Sequence, residues 1–119
     1  MRANFPTEDV EQQHVVRWFK WQYPGAYIHH SANEGLRKAQ YTNKLLSLGL
    51  KPGHPDLEIL EPRGQYHGLF IEMKRQKNGK VSNQQSECLK ALNERGYKAI
   101  VCRGADAAIE AIKEYMNNG

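Results

Sequence analysis

The sequence predicts an α/β fold in which helices cover both faces of a mixed central β-sheet. Apolar residues recur at alternating helical and strand spacings, and the elements follow the order helix, strand, helix, strand, strand, helix, strand, helix. This order of elements implies a mixed sheet with helices on both faces. Because 119 residues suffice for one hydrophobic core, we expect a single domain over residues 1–119.

The first half of the chain is predicted to contain two helices and one strand. An acidic first turn and apolar residues at helical spacing predict a helix over residues 7–22. Glu11 lies one turn before Val15 on the apolar stripe, so its side chain should point toward the body of the protein. A short strand is predicted over residues 26–29 and a more exposed helix over residues 36–48.

The second half is predicted to begin with a β-hairpin, formed by strands over residues 57–60 and 68–74 around a turn-rich connection. Ser82 and Gln85 have the spacing of a capping box and predict the start of a third helix. The last two predicted elements are a strand over residues 97–102 and an amphipathic helix over residues 105–116.

Charge and composition restrict the class of partner. The net charge of +4 is mild, but the basic residues cluster in two acid-free runs, at residues 35–55 and 74–80. Such a surface beside isolated acids suits a polyanion that also meets a metal ion, although two solvated faces would explain the same pattern. No apolar run approaches the roughly 18 residues of a membrane span, and the N-terminus does not resemble a secretory signal. We therefore expect a cytoplasmic protein without a membrane partner.

The two cysteines are expected to be reduced and buried. Cys88 and Cys102 lie in segments that look like core, and no other residue stands at metal-ligand spacing from them. Paired histidines at residues 29–30 do not predict a zinc site either, because no cysteine or further histidine lies at a supporting interval.

Three residues of the predicted hairpin could carry chemistry. Side chains alternate along a strand, so Glu72 and Lys74 share one face, and antiparallel pairing can bring Asp56 beside Glu72. Two close carboxylates suit a hard divalent cation, which can activate water and neutralise charge when a phosphodiester is cleaved. Lys74 could orient that water, and Glu11 could add a ligand from the first helix. The alternative for the Glu72 and Lys74 pair is an exposed ion pair on an edge strand.

Four ordered blocks of the sequence together resemble the VRR-NUC family of nucleases. The blocks are KPGHPDL at 51–57, YHGLFIEMK at 66–74, VSNQQ at 81–85 and GY at 96–97. Similarity extends to Glu11-Gln12, Trp18 and Asn33-Glu34-Gly35, so it covers nearly the whole chain. The family belongs to the PD-(D/E)xK, or restriction-endonuclease-like, superfamily, and this chain looks most like its short stand-alone members from phages and bacteria.

The resemblance implies a set of site residues and a cofactor. The implied metal ligands are Asp56, Glu72, the Met73 backbone carbonyl and the helix-borne Glu11, with Lys74 as the catalytic lysine and Gln85 as the family glutamine. It further implies Mg²⁺ or Mn²⁺, a 5′-phosphate product, and for stand-alone members a homodimer that cuts branched DNA such as Holliday junctions. With the charge pattern, it places DNA contacts at Asn33, Arg37, Lys38, Lys44, Lys51 and Lys77. His54 and Glu34 depart from the family pattern and leave substrate handling less defined.

Several alternatives remain open at this point. Gln85 could serve only its capping box, and Glu11 could be only a first-turn acid like its neighbours Glu8 and Asp9. Glu58 is expected to be a solvated acid, and Trp18 and Trp21 are expected at the core and rim of the first helix rather than stacked on bases. Two rival functions are a non-cleaving DNA-binding module with the same fold and a nuclease that cuts flaps or nicks DNA.

Overall fold

The computed structural model describes residues 5–31 and 39–118, and its elements follow the predicted order. They are α1 (Glu8–Gln22), β1 (Ile28–His30), α2 (Ala39–Ser47), β2 (Leu57–Ile59), β3 (Leu69–Lys74), α3 (Asn83–Glu94), β4 (Lys98–Arg103) and α4 (Ala105–Met116). The predicted α/β class with a mixed sheet is confirmed. Positions 36–38 of the second predicted helix lie outside the described residues.

The sheet has the strand order β1-β2-β3-β4. The first two pairs are antiparallel, and β3 runs parallel to β4 because α3 carries the chain back between them. Leu57 lies opposite Ile71 in the β2–β3 hairpin, so the next pair along that register is Asp56 and Glu72. The predicted hairpin is therefore present, in the register that the site requires.

Side-chain caps fix the starts of two helices. The Thr7 side chain accepts a hydrogen bond from the backbone of Val10 at the start of α1. At the start of α3, Ser82 and Gln85 form the predicted capping box, in which each side chain bonds the backbone of the other. Each cap satisfies backbone N–H groups that have no partner within the helix.

The core lies between the sheet and the pair of helices α1 and α4. Fully buried apolar residues come from all these elements: Val15, Phe19, Leu57, Ile59, Leu69, Ile71, Met73, Ala108 and Ile112. The α3 helix packs against β4, where the Asn93 amide bonds both backbone groups of Ala99. All six residues of β3 are buried, as expected for a strand between two others with both faces covered.

Both cysteines are buried free thiols, as the sequence predicts. Burial raises the pKa of Cys102 to about 11, so this thiol stays protonated at neutral pH. Within the described part of the chain, no helix is long and apolar enough to cross a membrane.

Candidate active site

Asp56 and Glu72 lie side by side at the end of the hairpin. Their proximity follows from the β2–β3 register, and the two carboxyl groups share a hydrogen bond. The orientation of the Asp56 carboxylate is also fixed, because the backbone N–H of Met73 donates to its Oδ2 at 2.8 Å. The structure thus brings together the two acids that the sequence singles out.

Glu72 is a carboxyl group in an environment that disfavours its charge. Its pKa rises from 4.5 to about 8, chiefly because of burial and then because of the negative charge and hydrogen bond of Asp56, while Lys74 acts in the opposite direction. The two acids therefore retain a proton at neutral pH when no cation lies between them. A divalent cation would replace that proton.

Lys74 points to the same side as Glu72, with its Nζ 3.7 Å from Glu72 Oε2. Only 9% and 3% of the two side chains is exposed. An exposed ion pair on an edge strand is therefore not what the structure contains, because β3 is internal to the sheet. Burial strengthens the attraction and leaves the ammonium with few competing waters.

Gln85 serves the helix and the acid pair at the same time. Its Oε1 accepts from the backbone N–H of Ser82, and its Nε2 donates to Glu72 Oε2 at 3.1 Å. The predicted capping box is confirmed, and the contact with Glu72 is compatible with the site role, which stays a prediction. The amide also links the first turn of α3 directly to the hairpin.

A glycine lets the loop that carries Asp56 reach α3. Gly53 has a φ of 83°, and a Cβ there would come within 2.6–2.8 Å of backbone atoms of Gln84 and Gln85. Pro55, which directly precedes Asp56, is fully buried. Nothing local in the sequence predicted this close contact with α3.

Glu11 is buried at the start of α1, with 7% of its surface exposed. The Gln76 amide nitrogen lies 3.3 Å from both of its carboxylate oxygens. Gly104 makes room for this pair, since a Cβ there would lie 2.8 Å from Gln76 Cγ and 3.0 Å from Glu11 Oε2. Sequence reasoning missed Gln76 and Gly104; the only signal was a glycine directly before α4.

Among the described contacts, Glu11 on α1 bonds Gln76 and not the hairpin acids Asp56 and Glu72. The charge of Glu8 also helps to raise the pKa of Glu72, so this neighbour of Glu11 acts on the pair. Over residues 5–31 and 39–118, no group of three or more His, Cys, Asp or Glu side chains is arranged to hold a metal ion. The roles of Glu11 and of the Met73 carbonyl as ligands stay predictions.

The donor set at the hairpin nevertheless fits a hard divalent cation. It consists of two adjacent carboxylates, one of them fixed by a backbone N–H and the other by an amide and an ammonium group. Oxygen ligands without thiolate or imidazole select Mg²⁺ or Mn²⁺ over softer ions.

The expectation that Glu58 is solvated is wrong. Its carboxylate contacts His29 at 3.0 Å and also contacts His54, which leaves 18% of the side chain exposed. The His54 ring in turn meets the edge of Phe70. Glu58 therefore ties β1 and the Asp56 loop to the hairpin, because its two imidazole partners come from those segments.

The predicted DNA contacts are only partly within the described residues. Lys44, Lys51 and Lys77 are all exposed. The Lys77 ammonium lies 5.3 Å from the centre of the Phe5 ring. Asn33, Arg37 and Lys38 lie outside the described residues, so their predicted role has no structural counterpart here.

Comparison with known proteins gives consistent results. The VRR-NUC domain profile matches residues 6–106. A solved structure titled "VRR_NUC domain protein" is 36% identical and superposes with a TM-score of 0.87, covering 98% of this chain and 93% of that chain. No curated protein sequence matches the chain at a significant level.

Proposed function

The chain belongs to the VRR-NUC family of nuclease domains, and from that premise we propose that it is an endonuclease that hydrolyses DNA with Mg²⁺ or Mn²⁺. One observation carries the proposal. Asp56 and the buried Glu72 lie side by side at the end of the hairpin, and the Lys74 ammonium lies 3.7 Å from Glu72 Oε2.

The protein groups divide the work of phosphodiester hydrolysis. Asp56 and Glu72 would hold the cation, in orientations set by the Met73 N–H and the Gln85 amide. When bound, a divalent cation acidifies water and neutralises charge that develops on the phosphate. The Lys74 ammonium would orient the attacking water and donate to a phosphate oxygen, and its burial would strengthen that contact.

The finer parts of the proposal are a branched DNA substrate, a homodimer and a cytoplasmic setting in a bacterial or phage-infected cell. Symmetric cutting of a four-way junction needs two sites related by a two-fold axis, and one chain carries a single acid pair among its described residues. The proposed products of phosphodiester cleavage carry a 5′-phosphate and a 3′-hydroxyl. A non-cleaving module is disfavoured because Asp56, Glu72 and Lys74 are all present and packed together.

A cleavage panel tests this function. Four-way junction, flap, nicked, single-stranded and linear duplex DNA are incubated with Mg²⁺, Mn²⁺ or EDTA, and the mass of the protein is measured by light scattering. We expect metal-dependent cleavage of branched DNA by a dimer and none with EDTA. Cleavage that persists in EDTA, or its absence on every substrate, would contradict a metal-dependent nuclease. Cleavage by a monomer would contradict the dimeric assembly alone.

A further inference from the structure

The outer face of α1 forms one wall of a groove that the acid pair does not use. The inner stripe of the helix, Glu11, Val15 and Phe19, is buried against the rest of the protein. The outer stripe lines a cavity of about 570 Å³ together with β1. Its lining residues are Asp9, Gln12, Gln13, Val16, Arg17, Lys20 and His30.

This groove begins at the active site. His30 Nδ1 lies 3.0 Å from the backbone oxygen of Asp56 and 2.8 Å from the side-chain amide of Gln12. The same Asp56 oxygen accepts from the backbone N–H of Ser31 at 2.9 Å. A molecule in the groove would therefore lie directly beside the segment that carries the first acid.

The far end of the groove is cationic. Arg17 and Lys20 are both exposed there, and amide groups of Gln12 and Gln13 occupy the middle. A helical rise of about 1.5 Å per residue places Lys20 roughly 12 Å along the axis from Gln12. This length suits a short stretch of nucleic-acid backbone, whose phosphates would meet the two cations.

An exposed aromatic ring, that of Trp21, lies beyond the cationic end of the groove. Arg17 also lines a second cavity, of about 330 Å³, with His14, Trp18 and Trp21. Trp21 is 84% exposed, so it is not part of the core. A large aromatic face next to a guanidinium is the combination on which unpaired bases stack, since every base offers a π-face and the cation offsets the phosphates.

We propose that this groove, from His30 to Trp21, binds an unpaired DNA strand that leads to the active site. Phosphates contact Arg17 and Lys20, and a base stacks on Trp21. The proposal rests on the proposed function and narrows its substrate to DNA with unpaired nucleotides beside the cleaved bond. Bases inside an intact duplex are stacked on each other and do not reach the Trp21 ring.

Binding without turnover tests the groove separately from catalysis. The affinities of a labelled twelve-nucleotide oligothymidine and of a blunt duplex of equal length are measured by fluorescence anisotropy in EDTA. We expect Trp21→Ala to weaken oligothymidine binding about tenfold and duplex binding by less than twofold, since one base stack is lost. Trp21→Phe should restore part of the affinity, because a ring remains.

The cations are tested by salt dependence. Arg17→Ala and Lys20→Ala should each lower the slope of log affinity against log salt for oligothymidine by about 0.7, the value for one phosphate contact on a single strand. The matched controls are Lys90→Ala, at an exposed lysine on α3, and Tyr27→Ala, at an exposed aromatic directly before β1; they should change neither quantity.

Each outcome decides the matter. Unchanged oligothymidine affinity in folded Trp21→Ala would overturn the proposal. If that variant instead loses dimer mass with its DNA affinity intact, the face binds a second copy of the chain, which also overturns it. If the wild-type protein cuts no DNA but Trp21→Ala still loses oligothymidine binding, the groove stands and the proposed nuclease function fails.

Discussion

Two buried glutamates at the same end of the molecule have opposite surroundings. Glu72, on β3, faces the carboxyl group of Asp56, and its pKa rises to about 8. Glu11, on α1, faces the amide of Gln76, whose nitrogen lies 3.3 Å from both of its oxygens. Burial alone therefore does not define a cation site. Glu72 also accepts from an amide, that of Gln85, so the difference lies in the carboxyl group of Asp56 beside it, whose charge calls for a cation.

Removing a negative charge from the hairpin pair, Asp56 and Glu72, should have the largest effect on cleavage. Glu72→Gln and Asp56→Asn should each reduce metal-dependent DNA cleavage by at least about a hundredfold, because each takes a negative charge from the proposed cation site. Circular dichroism should show a folded protein. The matched control is Glu58→Gln, which changes an acid on the same hairpin that contacts histidines instead. Near wild-type cleavage by either folded variant would refute the ligand assignment.

Lys74→Met separates the ammonium from the cation site. The change keeps most of the buried stem, so Mn²⁺ affinity measured by calorimetry should persist or increase as a competing positive charge disappears. Cleavage should nevertheless fall to near background, an effect similar in size to loss of an acid. If Lys74 served only as an ion-pair partner, the variant would keep cutting, and that result would remove it from the mechanism.

Substitutions next to Glu11 should reduce DNA cleavage less than substitutions of the hairpin acids. Gly104→Ala places a methyl group against Gln76 and Glu11, so cleavage should fall about tenfold, within the range for a misplaced site group. Gln76→Ala should have a similar effect, because Glu11 loses its amide partner. Gly25→Ala controls for backbone strain, since Gly25 has a similar positive φ with no atom near its Cβ position. Equal activity of the two alanine variants at Gly104 and Gly25 would mean that the Glu11 position does not affect cleavage.

The raised pKa of Glu72 predicts how stability depends on pH. The folded carboxyl binds a proton up to about pH 8, whereas the unfolded one releases it near 4.5. Metal-free protein should therefore lose thermal stability as pH rises from about 5 to 8, and Glu72→Gln should flatten that loss. Saturating Mg²⁺ should oppose the loss, because the cation binds the ionised pair. Scanning calorimetry at three pH values measures this, and an unchanged slope in Glu72→Gln would contradict it.

The exposed lysines should give the smallest effects. Lys44→Ala, Lys51→Ala and Lys77→Ala are expected to weaken DNA binding a few-fold, equally for any base sequence, with little change in turnover at saturating DNA. Affinity measured at two salt concentrations checks this. If all three variants bind as well as wild type at low salt, DNA lies on another surface.

The sequence predicted much of this arrangement because much of it is local. Strand alternation placed Glu72 and Lys74 on one face, and one hairpin brought in Asp56, as the register confirms. The contacts of Gln76 with Glu11 and of Gly53 with Gln84 join residues far apart in the chain, so no spacing encodes them. Glu58 was misjudged for a similar reason: alternation gives the face of a side chain but not the histidine of β1 that meets it.

The double role of the Gln85 amide, in the capping box of α3 and beside Glu72, restricts which residues can occupy position 85. Glutamate is the other usual residue at this point of a capping box and would preserve the bond to Ser82, but it would bring a third negative charge against Glu72. Asparagine is one methylene shorter, and neither leucine nor methionine can both donate and accept. Selection on helix stability and selection on the acid pair thus act on the same amide, and of the common side chains glutamine alone satisfies both.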